Sequence, residues 1–556
     1  MKKLLSFSLA FFAAVASFAQ NPCNCEVLEG NQTVNKTLVS TKCYLLKGCY
    51  TVKAPARLGI QAGTKIFGDK DSKGSLIIER GAQINAQGQE ALPIIFTSNQ
   101  PVGSRQPGDW GGIIIAGKAP NNQPGGEFTV EGPCTPITAG GTDPNDNSGT
   151  LRFARIEYAG IAFSANNEIN SLTLASVGRG TKIDHIFVSY ANDDAFEWFG
   201  GTVNTKYLVA YKTRDDDFDT DFGYSGLNQF GLAIRDNNYH DVSGSNGFES
   251  DNNATGTTDL PQTQAIFSNF TVMGPLSCNG TAHAEFRNGA QIRRNSSISI
   301  FNTVIAGWPT GLLLDGQLTV NNANVNNTLN FAHNILAGNT TPLALGGGAT
   351  WPAGCSSTLA NWFKGFGAPA CKEIGNETFP GIASLGYRKT CTNGCADAPV
   401  FRIKPSSTLD SGGSFTEPQL LDPFFEVVSY RGAMYLTDWT KNAWGNFCAD
   451  TTHYCPAPSN FRTSGVEEVE STLGAVAVPN PTVDATVVSF ILAEGAQVEV
   501  AAFNGNGEKV ADLANGFMSE GENSVAFSTA NLNSGLYFVK IKAGKKYQTV
   551  KVSVTK

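Results

Sequence analysis

His185-Ile-Phe-Val-Ser-Tyr-Ala-Asn-Asp-Asp-Ala-Phe-Glu197 returns, without a gap, as Tyr207-Leu-Val-Ala-Tyr-Lys-Thr-Arg-Asp-Asp-Asp-Phe-Asp219. The offset, from 185 to 207, is 22 residues. Asp193 falls on Asp215, Asp194 on Asp216, Phe196 on Phe218 and Glu197 on Asp219. A fainter copy, Gly247-Phe248-Glu249, lies 30 residues further on, with its extra residues around 236–242. His283-Ala-Glu-Phe286-Arg-Asn-Gly and Gly311-Leu-Leu-Leu-Asp315-Gly continue the series. A period near 22 that holds two or three short strands suits one coil of a parallel β-helix, whose stacked coils bury a continuous core. The spacing predicts an inner stack of Phe196, Phe218, Phe248 and Phe286, one per coil. Gly, Asn and Asp then occupy the corners, where a left-handed backbone is needed.

The rest of the chain agrees with that reading. From about 30 to 340, short β-prone runs such as Ser75-Leu-Ile-Ile-Glu79, Gly112-Ile-Ile-Ile-Ala116 and Arg155-Ile-Glu-Tyr158 alternate with Gly, Asn and Asp turns. Long amphipathic helical patterns are absent, which leaves a sandwich, a barrel or a solenoid, and the repeat selects the solenoid. The 556 residues include 60 Gly and 35 Phe but only 4 Met, and 16% are charged. That composition is poor in helix formers. The net charge of −8 and the lack of a basic face exclude nucleic acid as an expected partner.

The N-terminus places the chain outside the cytoplasm. Met1-Lys2-Lys3, an apolar run from Leu4 to about Val15 and Ser17-Phe18-Ala19 form a signal peptide over 1–19, with cleavage expected after Ala19. The run is too short for a span, which needs about 20 residues, so the chain is expected not to cross a membrane. The 12 cysteines of an exported protein point to disulfides. Their clustering suggests local pairing within Cys23, Cys25, Cys43 and Cys49, and within the group from Cys355 to Cys455. Cys391-Thr-Asn-Gly-Cys395 has loose zinc spacing, but no His lies near it.

Residues 20–340 are assigned to the β-helix. Residues 341–458 are assigned to an irregular, Cys-rich cap over its C-terminal end, where open strand edges need cover. Residues 459–472 read as a polar linker. Over 473–556, alternating runs from Thr486–Leu492 to Tyr547–Val554, with a hairpin signal at Asn504-Gly-Asn-Gly507, predict a small Ig-like β-sandwich of roughly seven strands.

Four features of this tail carry a resemblance. They are Pro479-Asn480-Pro481-Thr482, Phe503-Asn504-Gly505-Asn506-Gly507-Glu508-Lys509-Val510, Leu532-Asn-Ser-Gly535-Leu-Tyr537-Phe-Val-Lys540 and Lys551-Val-Ser-Val-Thr-Lys556. Together they resemble the type A C-terminal sorting domain of the Bacteroidota type IX secretion system. The resemblance implies the secretion machinery as a partner and export through the periplasm to the outer surface or the medium. It also implies either anchoring to surface lipopolysaccharide or release. The body resembles a family of exported Bacteroidota β-helix proteins through Tyr44-Leu-Leu-Lys-Gly48, Gly63-Thr-Lys-Ile-Phe-Gly-Asp-Lys-Asp-Ser-Lys-Gly74, Phe96-Thr-Ser-Asn-Gln-Pro101, Gly108-Asp-Trp-Gly-Gly-Ile-Ile-Ile115 and Phe425-Glu-Val-Val-Ser-Tyr-Arg-Gly-Ala433. That family has no established activity, so the resemblance implies fold and location and transfers no catalytic residue.

The repeat also stacks acids. Asp193, Asp194, Glu197, Asp215, Asp216, Asp217, Asp219, Asp221, Glu249 and Asp251 form a ladder if the register holds, with successive coils about 4.8 Å apart. Like charges that close need a neutralising partner. Calcium is the simplest, since it takes 6–8 oxygens in irregular geometry. Arg214 is an alternative partner, and solvated turn caps are the bland reading. Some parallel β-helix proteins are polysaccharide lyases that pair calcium-binding acids with a basic residue. Arg287, Arg293 and His283 are the weak candidates for that role, with Arg294 and Lys212 behind them. A glycoside hydrolase would instead use two carboxylates about 5–10 Å apart. Trp110, Trp198, Trp308, Tyr224 and Phe199 are candidates for stacking on sugar rings, although core or edge packing explains most of them better.

The expected protein is therefore all-β: a right-handed parallel β-helix followed by a β-sandwich sorting domain, acting extracellularly or on the cell surface. The leading function is a binding or structural protein for glycan or surface matrix, with calcium. The alternative is a calcium-dependent polysaccharide-degrading enzyme.

Overall fold

In the computed structural model the described residues are 22–132, 136–164, 167–366, 375–385, 387–389, 400–403, 407–440, 444–455, 473, 475–492, 494–505, 507–544 and 546–556. The expected signal peptide, the linker at 459–472, and Cys134, Cys371, Cys391 and Cys395 lie outside them. The chain divides into two compact units, Met1–Pro456 and Ala457–Lys556.

The first unit is a parallel solenoid built on one 26-stranded sheet. Its coils follow the expected period. Lys182–Ser189 pairs in parallel with Asn204–Tyr211, which pairs with Leu227–Ile234 and then Ile266–Met273. On another face Leu172–Ala175, Phe196–Phe199, Phe218–Asp221, Phe248–Ser250, Asn288–Ile292 and Thr310–Asp315 stack in the same way. The register sets Phe196 on Phe218 and Phe218 on Phe248. Their rings lie 5.7 Å and 5.3 Å apart inside the core. The expected stack ends there. Ala290, not Phe286, follows Phe248 in register, and Phe286 lies before the strand, against Trp308. The extra residues of the third copy form the 236–245 loop.

One corner needs a left-handed residue in nearly every coil. Phe153, His185, Tyr207, Phe230, Asn269, Asn302 and His333 fill it, with φ between 45° and 63°. L-residues adopt this region at a cost. Here ring stacking offsets part of that cost, with centroid separations of 4.1 Å for Phe153–His185 and 4.4 Å for His185–Tyr207.

The region expected to cap the solenoid does two different jobs. Helix Leu359–Phe363, capped by Thr358, sets Trp362 and Phe363 under Phe331 and covers the last coils. Residues 407–440 and 444–455, by contrast, run back along the side of the solenoid as a strap. Their side-chain contacts pass from Asn330 and Asn302 to Asn269, Gln229 and Lys206. They then reach the rings of His185 and Phe187 and finally Glu157. The cause is the aromatic corner: its outward rings need an apolar cover, and Trp439, Trp444 and Phe447 supply it.

Cys23 pairs with Cys455 across a sequence separation of 432, and Cys25 pairs with Cys43. Purely local pairing is therefore corrected. The strap thus ends at the first coil, where Tyr454 packs beside Leu45, Phe67 and Ile95.

The second unit has two antiparallel sheets around one core. One contains Val476–Val478, Ala485–Leu492 and Gly521–Ser528. The other contains Lys509–Met518, Ala496–Phe503, Gly535–Ala543 and Lys546–Val554. Val488, Phe490, Val498, Val500, Val539 and Ile541 fill the space between. The Asn504–Gly507 turn joins Ala496–Phe503 to Lys509–Met518, and Gly507 takes a φ of 85° there.

Candidate functional site: a stack of carboxylates

The site lies on the Phe196/Phe218/Phe248 face and on the corner that precedes it. In a strand, neighbours point to opposite sides. Phe196 and Trp198 point into the core, so Glu197 points out. The register then stacks Glu197, Asp219 and Glu249 on consecutive coils, with Thr173 before them and Gln291 after.

The corner forms a second row. Oδ1 of Asn170 accepts the backbone N–H of Asp194 at 3.2 Å. Oδ1 of Asp194 accepts that of Asp216 at 2.8 Å, and Oδ1 of Asp216 accepts that of Asn246 at 2.5 Å. Oδ1 of Asn246 accepts that of Asn288 at 3.1 Å. Each side chain thus pins the next coil.

Amide and carboxylate differ in what the rest of the group does. Nδ2 of Asn246 donates to Glu249 at 3.1 Å, and Nδ2 of Asn288 donates to Gln291 at 3.0 Å. Asn170 donates to Glu197. Asp194 and Asp216 have no such donor when ionised, so each faces a carboxylate three residues on, Glu197 or Asp219. Oδ1 of Asp219 is buried and has no hydrogen-bond partner among the described residues.

Three triads of carboxylates bring their oxygens within 4.8 Å of one another: Asp193–Asp194–Asp215, Asp194–Glu197–Asp219 and Asp216–Asp219–Glu249. Asp194, Glu197 and Asp216 are only 7%, 6% and 4% exposed. Burial and then neighbouring carboxylates push all seven groups well above the usual carboxylate range. Burial, then Asp251, pushes Asp221 up to about 8. An oxygen-only set of this density suits a hard cation such as calcium.

The other expected ligands lie apart from the triads. Asp217 points inward to a fully buried ion pair with Arg235 at 2.9 Å, and its carboxyl rises only to about 6. Asp251 meets Arg293 at 2.8 Å and Arg294 at 2.6 Å. Arg214 turns to Asn192 instead of the acids.

Two acids escaped sequence reasoning. Glu131 and Glu168 raise the pKa of Asp193, and Glu131 is the leading charge on Glu197. Glu131 itself is pushed up to about 6 by burial and Glu168. It follows the strand Glu127–Val130, in a hairpin whose Val130, Ile137 and Ala139 pack on Ile114 and Ala175. That hairpin lies outside the repeat, so no periodic signal marks it.

Beside the stack a groove of about 610 Å³ is lined by Glu249, His283, Arg287, Asn288, Gln291 and Arg293, among others. The three weak catalytic candidates therefore share one groove. Arg293 also pairs with Glu249. Burial lowers its pKa, but Glu249 and Asp251 outweigh this and raise it overall. Arg287 is half-exposed and meets Glu285 at 3.1 Å. His240 and His283 stack with centroids 3.6 Å apart at the groove rim. The candidates for sugar stacking are core residues instead: Trp110, Trp198, Trp308 and Tyr224 are fully buried, and Phe199 is 7% exposed.

Residues 30–345 match the family described as a pectate-lyase-like β-helix domain, and residues 477–555 match a secretion system C-terminal sorting domain. The tail assigns the chain to export by the type IX system, to the cell surface or the extracellular space. No described helix is long and apolar enough to cross a membrane. No curated protein matches the chain in sequence. Among solved structures, the full-length tailspike protein 2 of an Escherichia coli O157:H7 bacteriophage aligns at 12% identity and a TM-score of 0.23. That alignment covers 92% of this chain, which spans 65% of the tailspike's length. The enzymatically active domain of the bacteriophage CBA120 tailspike protein 2 aligns at 13% identity and a TM-score of 0.23, covering 92% of this chain and 72% of that one.

Proposed function

We propose that this chain, which belongs to the family of pectate-lyase-like β-helix domains, acts outside the cell as a calcium-dependent binding protein for glycan or surface matrix. The carrying observation is the pair of consecutive coils in which Asp194 and Asp216 stand where the flanking coils have Asn170 and Asn246. A neutral, self-satisfied corner row has been replaced by facing carboxylates, and these need a cation. The groove beside them, with Arg287 and His283 open to it, supplies a polar surface for hydroxyl or anionic groups of a polymer.

Binding fits better than catalysis. A proton-abstracting arginine needs a neutral form, and Glu249 and Asp251 hold Arg293 cationic. Arg287 and His283 are the remaining candidates for the enzymatic alternative.

Retention of the purified protein on a panel of acidic and neutral polysaccharides, in calcium and in chelator, tests the reading, with product release followed in parallel. Calcium-dependent retention without product supports it. Product release that is lost in Asp219→Ala would establish the polysaccharide-degrading alternative, and no retention on any surface polymer would reject the glycan part.

A further inference from the structure

We propose that His240 and His283 form a pH-sensitive clasp that holds the 236–245 loop against the 281–287 loop and sets the width of the groove that both loops line. The clasp stands on its own geometry and needs neither the calcium nor the glycan reading.

The two imidazoles stack face to face, with centroids 3.6 Å apart and planes inclined by 7°. The backbone N–H of His283 also donates to Oδ1 of Asn237 at 2.7 Å. Both sides of the contact line the groove, Ser243 and Gly244 from one loop and Ala282, His283 and Ala284 from the other. The ends of the 236–245 loop are fixed without the rings. Lys212 meets Asp236 at 3.1 Å, and the backbone of Ser245 pairs with that of Glu285 and of Arg287 at 2.9 Å. The clasp therefore acts on the span between, 237–244, where Val242 is 84% exposed.

Neither ring accommodates a second proton in this arrangement. Nδ1 of His283 accepts the backbone N–H of Glu285 at 3.3 Å, so a proton on that nitrogen sets donor against donor. Nδ1 of His240 is buried with no hydrogen-bond partner among the described residues. An imidazolium carries N–H on both nitrogens, so a charged His240 would leave a buried donor unmet. Two charged rings at this separation would also repel.

The charges around the pair do not reverse this. Asp241 and Glu285 favour a protonated His240 and Arg214 opposes it, yet burial, followed by His283, leaves His240 below the ordinary histidine value. Glu285 is engaged by Arg287 at 3.1 Å, and Arg235 lies behind Phe286, paired with Asp217. The clasped state thus binds fewer protons than the open one. It is favoured above about pH 6.5, the ordinary histidine value, and is lost as pH falls below it.

Backbone hydrogen exchange of the purified protein, normalised for the pH dependence of intrinsic exchange, tests the clasp. The span has protection to lose, because the N–H groups of Asp241 and Ser243 are hydrogen-bonded at 3.0 Å and 2.9 Å. Between pH 7.5 and pH 5 the wild type is expected to lose about tenfold or more of its protection over 237–244. His240→Phe and His283→Phe keep an aromatic ring in the stack and cannot titrate, so both are expected to hold their protection across that range. Asp215 is the rival origin of a pH response, since Oγ of Ser243 lies 2.8 Å from its Oδ2. A loss that persists in either Phe variant would assign the response to that acid and overturn the clasp. Equal wild-type protection at the two pH values would overturn it as well, whether or not the variants fold.

Discussion

Asp194 and Asp216 occupy the same corner of consecutive coils, and the carboxylate of Asp194 accepts the backbone N–H of Asp216 at 2.8 Å. The bond fixes the register between coils. It also fixes two like charges one coil apart, since Asp216 repeats the same contact to Asn246. Structure and site chemistry share these atoms, so the acids cannot relax away from one another without losing the register.

In the absence of calcium, Asp219→Asn should therefore stabilise the protein. The variant keeps the shape and removes one charge from two crowded triads. In chelator at pH 8 its melting temperature should exceed that of the wild type by about 2 °C or more. A lower melting temperature would show that the carboxylates are already neutralised from within the protein.

The pH dependence has a definite sign. The triad carboxyls lie well above their ordinary values, and outside the triads Asp221 lies at about 8 and Asp217 at about 6. The folded protein therefore holds more protons than the unfolded chain from about pH 4 upward. Calcium-free stability should fall as pH rises through that window to about 8. Melting scans in chelator at pH 5 and pH 8 check this, and a higher melting temperature at pH 8 would refute it.

Phe218 sits between Phe196 and Phe248 in the buried stack. Phe218→Ala should cost about 3–5 kcal/mol, the range for a large aromatic removed from a core. Denaturant unfolding measures it, and a loss below about 1 kcal/mol would mean that the coil collapses to fill the cavity.

The strap is fastened at its end by Cys23–Cys455. The paired variant Cys23→Ser/Cys455→Ser should lose about 2–5 kcal/mol and should first be cut by protease between residues 444 and 455. An unchanged cleavage pattern would show that Trp444, Phe447 and Tyr454 hold the strap unaided.

What was legible in the sequence was periodic. The match of residues 185–197 to 207–219 placed Phe196 on Phe218 and Glu197 on Asp219, and the structure has both pairs. The turn signal at Asn504–Gly507 likewise marked a real hairpin. What escaped was aperiodic. Glu131 reaches the site from an inserted hairpin that packs through Val130 and Ile137, and nothing in the repeat points to it. The Cys, Trp and Pro content of the strap signals irregular structure but carries no direction, so the sequence predicts an end cap there. Its path is set by rings of His185 and Phe187, far away in sequence, that need Trp444 over them. The long-range pairing of Cys23 follows from that path and not from cysteine spacing.

The most direct measurement of the central claim is the melting temperature of the purified protein at pH 8 in calcium and in chelator, for the wild type and Asp219→Asn. The account predicts a large upward shift with calcium in the wild type and a much smaller one in the variant. Superimposed wild-type curves in calcium and chelator would contradict it.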